Sequence, residues 1–258
     1  MSEVLHTRAL TLRLGGRTVL DRVTAACRPG RVTALLGPNG AGKSSLLACL
    51  AGLRTADAGA AMLGDRAILE IERRDRARRI GFLPQASDVH WNVDVQSLVA
   101  LGRLPHRGRW GETAADRAAV AQAMAATEVA HLAARGVEQL SGGERGRVLI
   151  ARVLAGEPDW LLADEPLASL DPAHQLDVLD LLRAAASRGA GVIVVLHDLH
   201  LAHRVADDAV LLSEGRVVAS GAAEAVLTPA LLGETYGVAV ETGTTASGRR
   251  YILPVARA

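Results

Sequence analysis

Cysteine is scarce in this chain: only Cys27 and Cys49 occur among 258 residues, with no CxxC pair and no Cys/His cluster. That argues against a disulfide framework or a zinc site, fits a reducing compartment, and leaves both thiols as small core residues. Neither charge sign is in excess. The formal net charge is +1, so no general field draws nucleic acid, and any anion must be held locally. Long apolar runs are missing too: the run at residues 192–196 is far shorter than the roughly 20 residues a membrane span needs. The opening MSEVLHTRAL carries Glu3, His6 and Arg8 where a secretion signal would need an unbroken apolar stretch. Work at a membrane is therefore expected to go through a partner. Aromatic residues make up 2% of the chain, so a large one such as Trp91 reads as either a core anchor or an interface hot spot.

What is present suits one large α/β domain, or a domain with an inserted subdomain: 49% of residues are hydrophobic and 22% charged. Short strands are expected at residues 11–14, 23–27 and 32–36, separated by the Gly15-Gly16 and Pro29-Gly30 turns. A Gly-rich loop and a helix starting near Lys43 follow, then a strand at 81–83. From about Val93 to Ala134 the sequence is alanine-rich with few β-branched residues, and reads as a helical insertion. A helix after Gly143, a strand at 160–163, a helix at 172–188 and a strand at 192–196 restore the alternation that implies a mostly parallel sheet covered on both faces. Strands at 209–212 and 216–219 flank a turn, and residues 236–254 look like a small β appendage.

The strongest chemical signal is Gly37-Pro38-Asn39-Gly40-Ala41-Gly42-Lys43-Ser44, which satisfies G-x-x-x-x-G-K-[ST] between an expected strand and an expected helix. Its glycines let backbone N–H groups curl around a phosphate, and the helix N-terminus, with Ser45 in its first turn, adds a positive dipole end. Lys43 can reach the β- and γ-phosphates of a nucleotide such as ATP, and Ser44 can ligate Mg²⁺. The carboxylate that completes such a metal site is expected at Asp164, which ends the apolar strand before Glu165 and Pro166. Glu165 is then placed to accept a proton from an attacking water or to orient it.

Leu140-Ser141-Gly142-Gly143-Glu144 could be a plain helix N-cap with two permissive glycines. Alongside the phosphate loop, however, it resembles the signature motif of the ABC ATPases, with Glu144 where the commonest version has Gln. The resemblance covers essentially the whole chain. It implies a phosphate-loop NTPase core of ABC type (residues 1–84 and 146–258), with an inserted α-helical subdomain (85–145) and a small antiparallel β subdomain. It also implies a homodimer in which the signature of one chain faces the γ-phosphate held by the other, so that Ser141, Gly142, Gly143 and Glu144 serve the partner's site. Gln85 matches the glutamine that contacts Mg²⁺ and water and links the site to a membrane partner. Ser169-Leu170-Asp171 matches the loop that crosses the dimer interface, and His197 matches the histidine that hydrogen-bonds the γ-phosphate. One position departs from the pattern: Leu14 stands where an aromatic residue usually stacks on adenine.

Within that family the chain is most similar to the ATP-hydrolysing subunits of importers for ferric siderophores, haem and vitamin B12. Leu98-Val99-Ala100-Leu101-Gly102-Arg103-Leu104-Pro105-His106 carries this likeness, with Val226-Leu227-Thr228-Pro229 and Tyr236-Gly237-Val238. The implied setting is the cytoplasmic face of the inner membrane, held there by permease subunits, with a periplasmic substrate-binding protein as an indirect partner and no nucleic acid. Residues 89–95, including Trp91, are expected to form part of the cleft that receives a permease helix. The alternative is a soluble ABC ATPase of the iron–sulfur assembly or DNA repair type. Against it stands the lack of a long coiled-coil or zinc insertion. A catalytically silent subunit is disfavoured because Lys43, Asp164, Glu165 and His197 are all present.

Overall fold

The computed structural model describes residues 3–85, 93–108, 111–168, 170–246, 248 and 250–257. In chain order, β1 (Leu5–Leu14), β2 (Arg17–Val23) and β3 (Ala26–Cys27) lead to β4 (Val32–Leu36) and helix α1 (Lys43–Leu50). Then come β5 (Ala58–Leu63), β6 (Arg66–Ala67), α2 (Arg73–Arg79) and β7 (Ile80–Leu83). The helices α3 (Val95–Ala100), α4 (Ala114–Ala126) and α5 (Gly142–Ala155) follow. After them β8 (Trp160–Asp164), α6 (Pro172–Ser187), β9 (Gly191–Val195), α7 (Leu199–Val205), β10 (Asp208–Ser213) and β11 (Arg216–Ala222) alternate. Helices α8 (Ala223–Val226) and α9 (Pro229–Tyr236) and the hairpin β12 (Val238–Thr244) and β13 (Arg250–Arg257) complete the described chain.

The central sheet runs β11-β10-β4-β9-β8-β7, parallel from β10 to β7 with β11 antiparallel at the edge. Every residue of β4, β8 and β9 is buried, as expected for strands covered on both faces. Their alternate side chains feed two cores. Val32, Ala34 and Leu36, with Leu161, Ala163, Val192 and Val194, join α3 to α6 on one face. Leu35, Trp160, Leu162, Ile193 and Val195 meet α1 and the antiparallel sheet β2-β1-β5-β6 on the other. Cys27 and Cys49 lie in this second core, where burial pushes their thiols up to about 12 and about 11. They are packing residues, without the thiolate character that reactivity requires.

The first strands extend further than their alternation suggests. In β1 the buried positions run Leu5, Thr7, Leu10, Leu12, so the period of two slips by one at Arg8-Ala9, where Ala9 has φ 44 and the pairing with β5 shifts register. Arg22 does the same in the neighbouring strand, at φ 49, and the expected strand at 23–27 is divided, with β2 ending at Val23 and β3 starting at Ala26. Threonine hydroxyls take up the amides that the interrupted ladder leaves over. Thr24 Oγ1 accepts from Ala9 N (2.9 Å), Thr11 Oγ1 from Arg22 N (3.1 Å) and Thr7 Oγ1 from Ala25 N (3.1 Å). The strand β5 was not expected at all: its sequence AGAAML carries no β-branched residue, and its pairing with β1, not its own propensity, makes it a strand.

The alanine-rich stretch is helical in separate pieces. Between α3 and α4 the chain turns through Leu101–Arg103 and Pro105, and a second short turn spans Ala130–Leu132. Gly102 sits so close to α5 that a Cβ there would lie 2.0 Å from the Arg152 carbonyl. Beside it the buried Arg103 donates to Asp116 Oδ1 (2.9 Å), the Ala155 carbonyl (2.9 Å) and Glu157 Oε2 (2.7 Å). Asp116 also closes the capping box of α4. The Thr113 backbone and hydroxyl, then Arg103, hold its carboxyl well below the usual carboxylate range. This hydrogen-bonded cluster, with Arg103 and Asp116 buried and Glu157 exposed, fixes the start of α4 against the end of α5; charge buried as deeply as that of Arg103 and Asp116 persists only when paired.

Candidate functional site

Four neighbouring parallel strands, β4, β9, β8 and β7, end on one side of the sheet, where ligands of open α/β sheets sit. The phosphate loop leaves β4 there. Gly37, at φ 145, packs where a Cβ would lie 2.1 Å from the Leu212 carbonyl, and Gly42, at φ 99, where it would lie 2.7 Å from Leu20 Cδ2. Only glycine fits either position. Asn39 and Gly40 form the exposed tip between Pro38 and the buried Ala41. Lys43 begins α1, and its side chain is buried, with Nζ donating to the Gly37 carbonyl (2.7 Å) and the Pro38 carbonyl (2.9 Å). Desolvation pulls its pKa down, against the opposing pull of Glu165 and Asp164. Ser44 is exposed and Ser45 half-buried in the same first turn.

Across the loop, Ser44 Oγ donates to Asp164 Oδ1 (3.1 Å), at the end of β8. Burial raises the Asp164 carboxyl pKa against the lowering effect of the Ser44 hydrogen bond. A serine hydroxyl and a carboxylate at this distance are the hard oxygen donors that a Mg²⁺ ion shares with substrate phosphates. No group of three or more His, Cys, Asp or Glu residues able to hold a metal by itself exists among the described residues.

Glu165 is the hub of the site. Its Oε2 accepts from Gln85 Nε2 (2.6 Å) and its Oε1 lies 2.6 Å from His197 Nε2. Gln85 follows β7, Glu165 follows β8 and His197 follows β9, so sheet order alone brings together residues far apart in sequence. Glu165 has φ 51, a left-handed backbone that costs a non-glycine residue about 1 kcal/mol or more and aims its carboxylate between the two neighbours.

The signature residues form a second, separate group. Ser141 caps α5: its Oγ accepts from Glu144 N (3.3 Å), while Glu144 Oε2 accepts from Ser141 N (2.8 Å) and Oε1 meets Arg135 (3.1 Å). The capping box, with the Ser141 backbone first, lowers the Glu144 pKa. Gly142 and Gly143 begin the helix, and a Cβ on Gly143 would lie 3.4 Å from the His174 ring, which itself hydrogen-bonds Asp171 Oδ2 (2.6 Å). Asp171 caps α6 through His174 N (3.0 Å). The structure thus joins the signature to Asp171 and Gln85 to the phosphate side. The packing of His174 under Gly143 was missed from sequence, since an i+3 histidine after an N-cap carries no signal of what lies above it. Leu14 ends β1, half-buried, opposite Arg17 across the Gly15-Gly16 turn. Trp91 and Ser169 lie outside the described residues.

The ABC transporter family pattern matches residues 20–168. A hemin import ATP-binding protein of Pseudomonas entomophila is 45% identical over 243 residues, covering 92% of this chain and 94% of that protein. A cobalamin import ATP-binding protein of Halobacterium salinarum is 42% identical over 253 residues, covering 97% of this chain and 63% of the relative. Among solved structures, a chain of a transporter assigned to the metal-chelate ABC type, in an inward-facing conformation, superposes with a TM-score of 0.85 at 26% identity and 98% coverage of both chains.

Proposed function

Because this chain belongs to the ABC transporter family, as an ATP-binding and ATP-hydrolysing cassette, we propose that it powers import of a metal chelate of the haem, cobalamin or ferric siderophore kind. The observation that carries this reading is the 45% identity to a hemin import ATPase across almost the full length of both chains. In this reading translocation falls to permease partners; among the described residues no helix is long and apolar enough to cross a membrane. In the proposed cycle, Lys43 leaves the carbonyls of Gly37 and Pro38 for the β- and γ-phosphates, and the loop amides from Gly40 to Ser45 cradle them. Ser44 and Asp164, with Gln85, would hold Mg²⁺, which would neutralise charge developing on the phosphates. Glu165, held between Gln85 and His197, takes or orients the proton of the water as the water oxygen bonds to the γ-phosphorus and the bond from that phosphorus to the bridging oxygen breaks, releasing ADP, while His197 hydrogen-bonds the γ-phosphate.

In this reading the signature of one subunit and the phosphate loop of its partner complete each site of a homodimer; within the chain, Ser141 and Glu144 hydrogen-bond each other at the start of α5 and Glu144 pairs with Arg135. The permease is proposed to dock between the core and the helical subdomain of residues 85–145. There the α2 arginines Arg74 and Arg78 donate to the Pro105 carbonyl (2.7 and 2.9 Å), and Leu104 beside it is 53% exposed. Reconstitution with a permease from the source genome tests the proposal. ATP-dependent accumulation of haem, cobalamin or a ferric siderophore in vesicles is expected; ATP hydrolysis by a chain that never co-purifies with that permease would refute it.

Leu14 sets a finer expectation. A leucine gives adenine an apolar contact but no π-face, worth about 1 kcal/mol when present. Discrimination between ATP and GTP is expected to be weak and to improve by roughly threefold to tenfold in Leu14→Tyr. Competition binding with the two nucleotides measures it, and strong wild-type rejection of GTP that the substitution leaves unchanged would assign the base contact elsewhere.

A further inference from the structure

One contact ties the C-terminal unit to the phosphate loop. The Tyr236 hydroxyl accepts a hydrogen bond from Gly37 N at 2.7 Å, across 199 residues of sequence. Gly37 is the first residue of the loop, and its carbonyl is one of the two acceptors of Lys43. A single peptide unit at each side of Gly37 is therefore held, one by Tyr236 and one by the lysine.

The tyrosine is itself firmly placed. It ends α9, which Thr228 caps through Leu231 N (3.3 Å) with Pro229 in the first turn, and Gly237 closes the helix at φ 65. Leu232 of α9 and Ile252 of β13 are buried in the same apolar core as β4 and β9. Burial pushes the phenol up to about 12, so the group stays a neutral hydroxyl throughout the working range of pH. Gly37 cannot move toward the sheet, because the Leu212 carbonyl already fills the place of a Cβ.

The geometry points to Tyr236 as a positioning residue for nucleotide binding: its hydroxyl holds the entrance of the phosphate loop in the phosphate-ready shape before ATP arrives. When Lys43 swings from the loop carbonyls to a phosphate, Gly37 loses that donor, and the Tyr236 bond is what still fixes its orientation. This inference rests on the reading of the loop as an ATP site. It adds a contact made by residues beyond the stretch that the family pattern matches, which ends at residue 168.

Removing the hydroxyl leaves the Gly37 N–H without its partner and frees the loop to leave the competent shape. A loop competent about 10–20% of the time binds ATP about five- to tenfold more weakly, because apparent affinity scales with the competent fraction. Once bound, the phosphate restores the loop, so kcat should stay within about twofold. The test is Tyr236→Phe in the full chain, read by nucleotide binding, KM and kcat, thermal unfolding, and amide exchange at Gly37. A KM raised about fivefold or more with kcat held, a Tm lowered by no more than about 2–4 °C and faster Gly37 exchange support the role. Tyr236→Leu, which keeps apolar burial and drops the ring, should match Phe in KM while losing more Tm. Unchanged KM and exchange in Tyr236→Phe, or a KM that rises only with loss of the ring, would overturn the assignment. A wild-type chain that binds no ATP would refute the nucleotide site instead, and the exchange rate would still report whether the Tyr236–Gly37 bond exists.

Discussion

Glu165→Gln is expected to lower steady-state ATP turnover by about 10²- to 10⁴-fold, the contribution of a positioned general base, while ATP affinity stays near that of the wild type. The wild-type carboxylate faces Gln85 Nε2 and His197 Nε2 at 2.6 Å each. A glutamine has one oxygen and one amide nitrogen, so it can accept from only one of these neighbours and presents a donor to the other. It also cannot take a proton from water. Both losses fall on the transition state, because Lys43 and Ser44 start α1, the loop amides lie between β4 and α1, and Lys43 is held by the Gly37 and Pro38 carbonyls instead of by Glu165. The variant should therefore show a fall in kcat with little change in nucleotide Kd, and should trap the ATP-bound state. Rates come from phosphate release and affinities from equilibrium binding. Turnover within a few-fold of wild type would assign the base to another residue and leave the strained φ 51 of Glu165 without a catalytic explanation.

The parts of the site that were legible in sequence are those whose signal is local. The phosphate loop announces itself through Gly37, Gly42, Lys43 and Ser44 within a few residues, after a strand that is apolar at nearly every position. Asp164 was readable because it ends a second such strand. The meeting of Glu165 with Gln85 and His197 was not written locally: it follows from β8 lying between β7 and β9, an order that only long-range packing sets. The same holds for Tyr236, whose partner is a backbone N–H and leaves no mark on residue types. Among the strands, failures trace to two causes. The bulges at Ala9 and Arg22 break the period of two on which strand reading depends, and the Ala- and Gly-rich β5 takes its form from its neighbour β1.

Ser141→Arg is expected to abolish ATP-driven dimer closure while leaving ATP binding by the single chain intact. In the proposed dimer Ser141 faces a phosphate held by the partner, at a contact sized for a hydroxyl and two glycines, and an arginine side chain would hold the subunits apart. The structure adds a complication. Ser141 is also the N-cap of α5, with Oγ 3.3 Å from Glu144 N, so any substitution that loses the cap weakens the helix by about 1 kcal/mol. A fall in closure could then come from a frayed signature helix instead of a blocked interface. Ser141→Asn separates the two, because asparagine caps about as well as serine and is far smaller than arginine. In the Glu165→Gln background, light scattering with ATP should show dimer for the parent, reduced dimer for Ser141→Asn, and monomer alone for Ser141→Arg. Thermal unfolding without nucleotide should fall for Arg and hold for Asn. A Ser141→Arg chain that still closes with ATP would refute the shared site, since the hydrogen bonds of Ser141 among the described residues are those to Glu144 at its own helix start. Equal loss of dimer in Asn and Arg, with the cap intact in Asn, would instead make the serine hydroxyl itself the γ-phosphate contact across the interface.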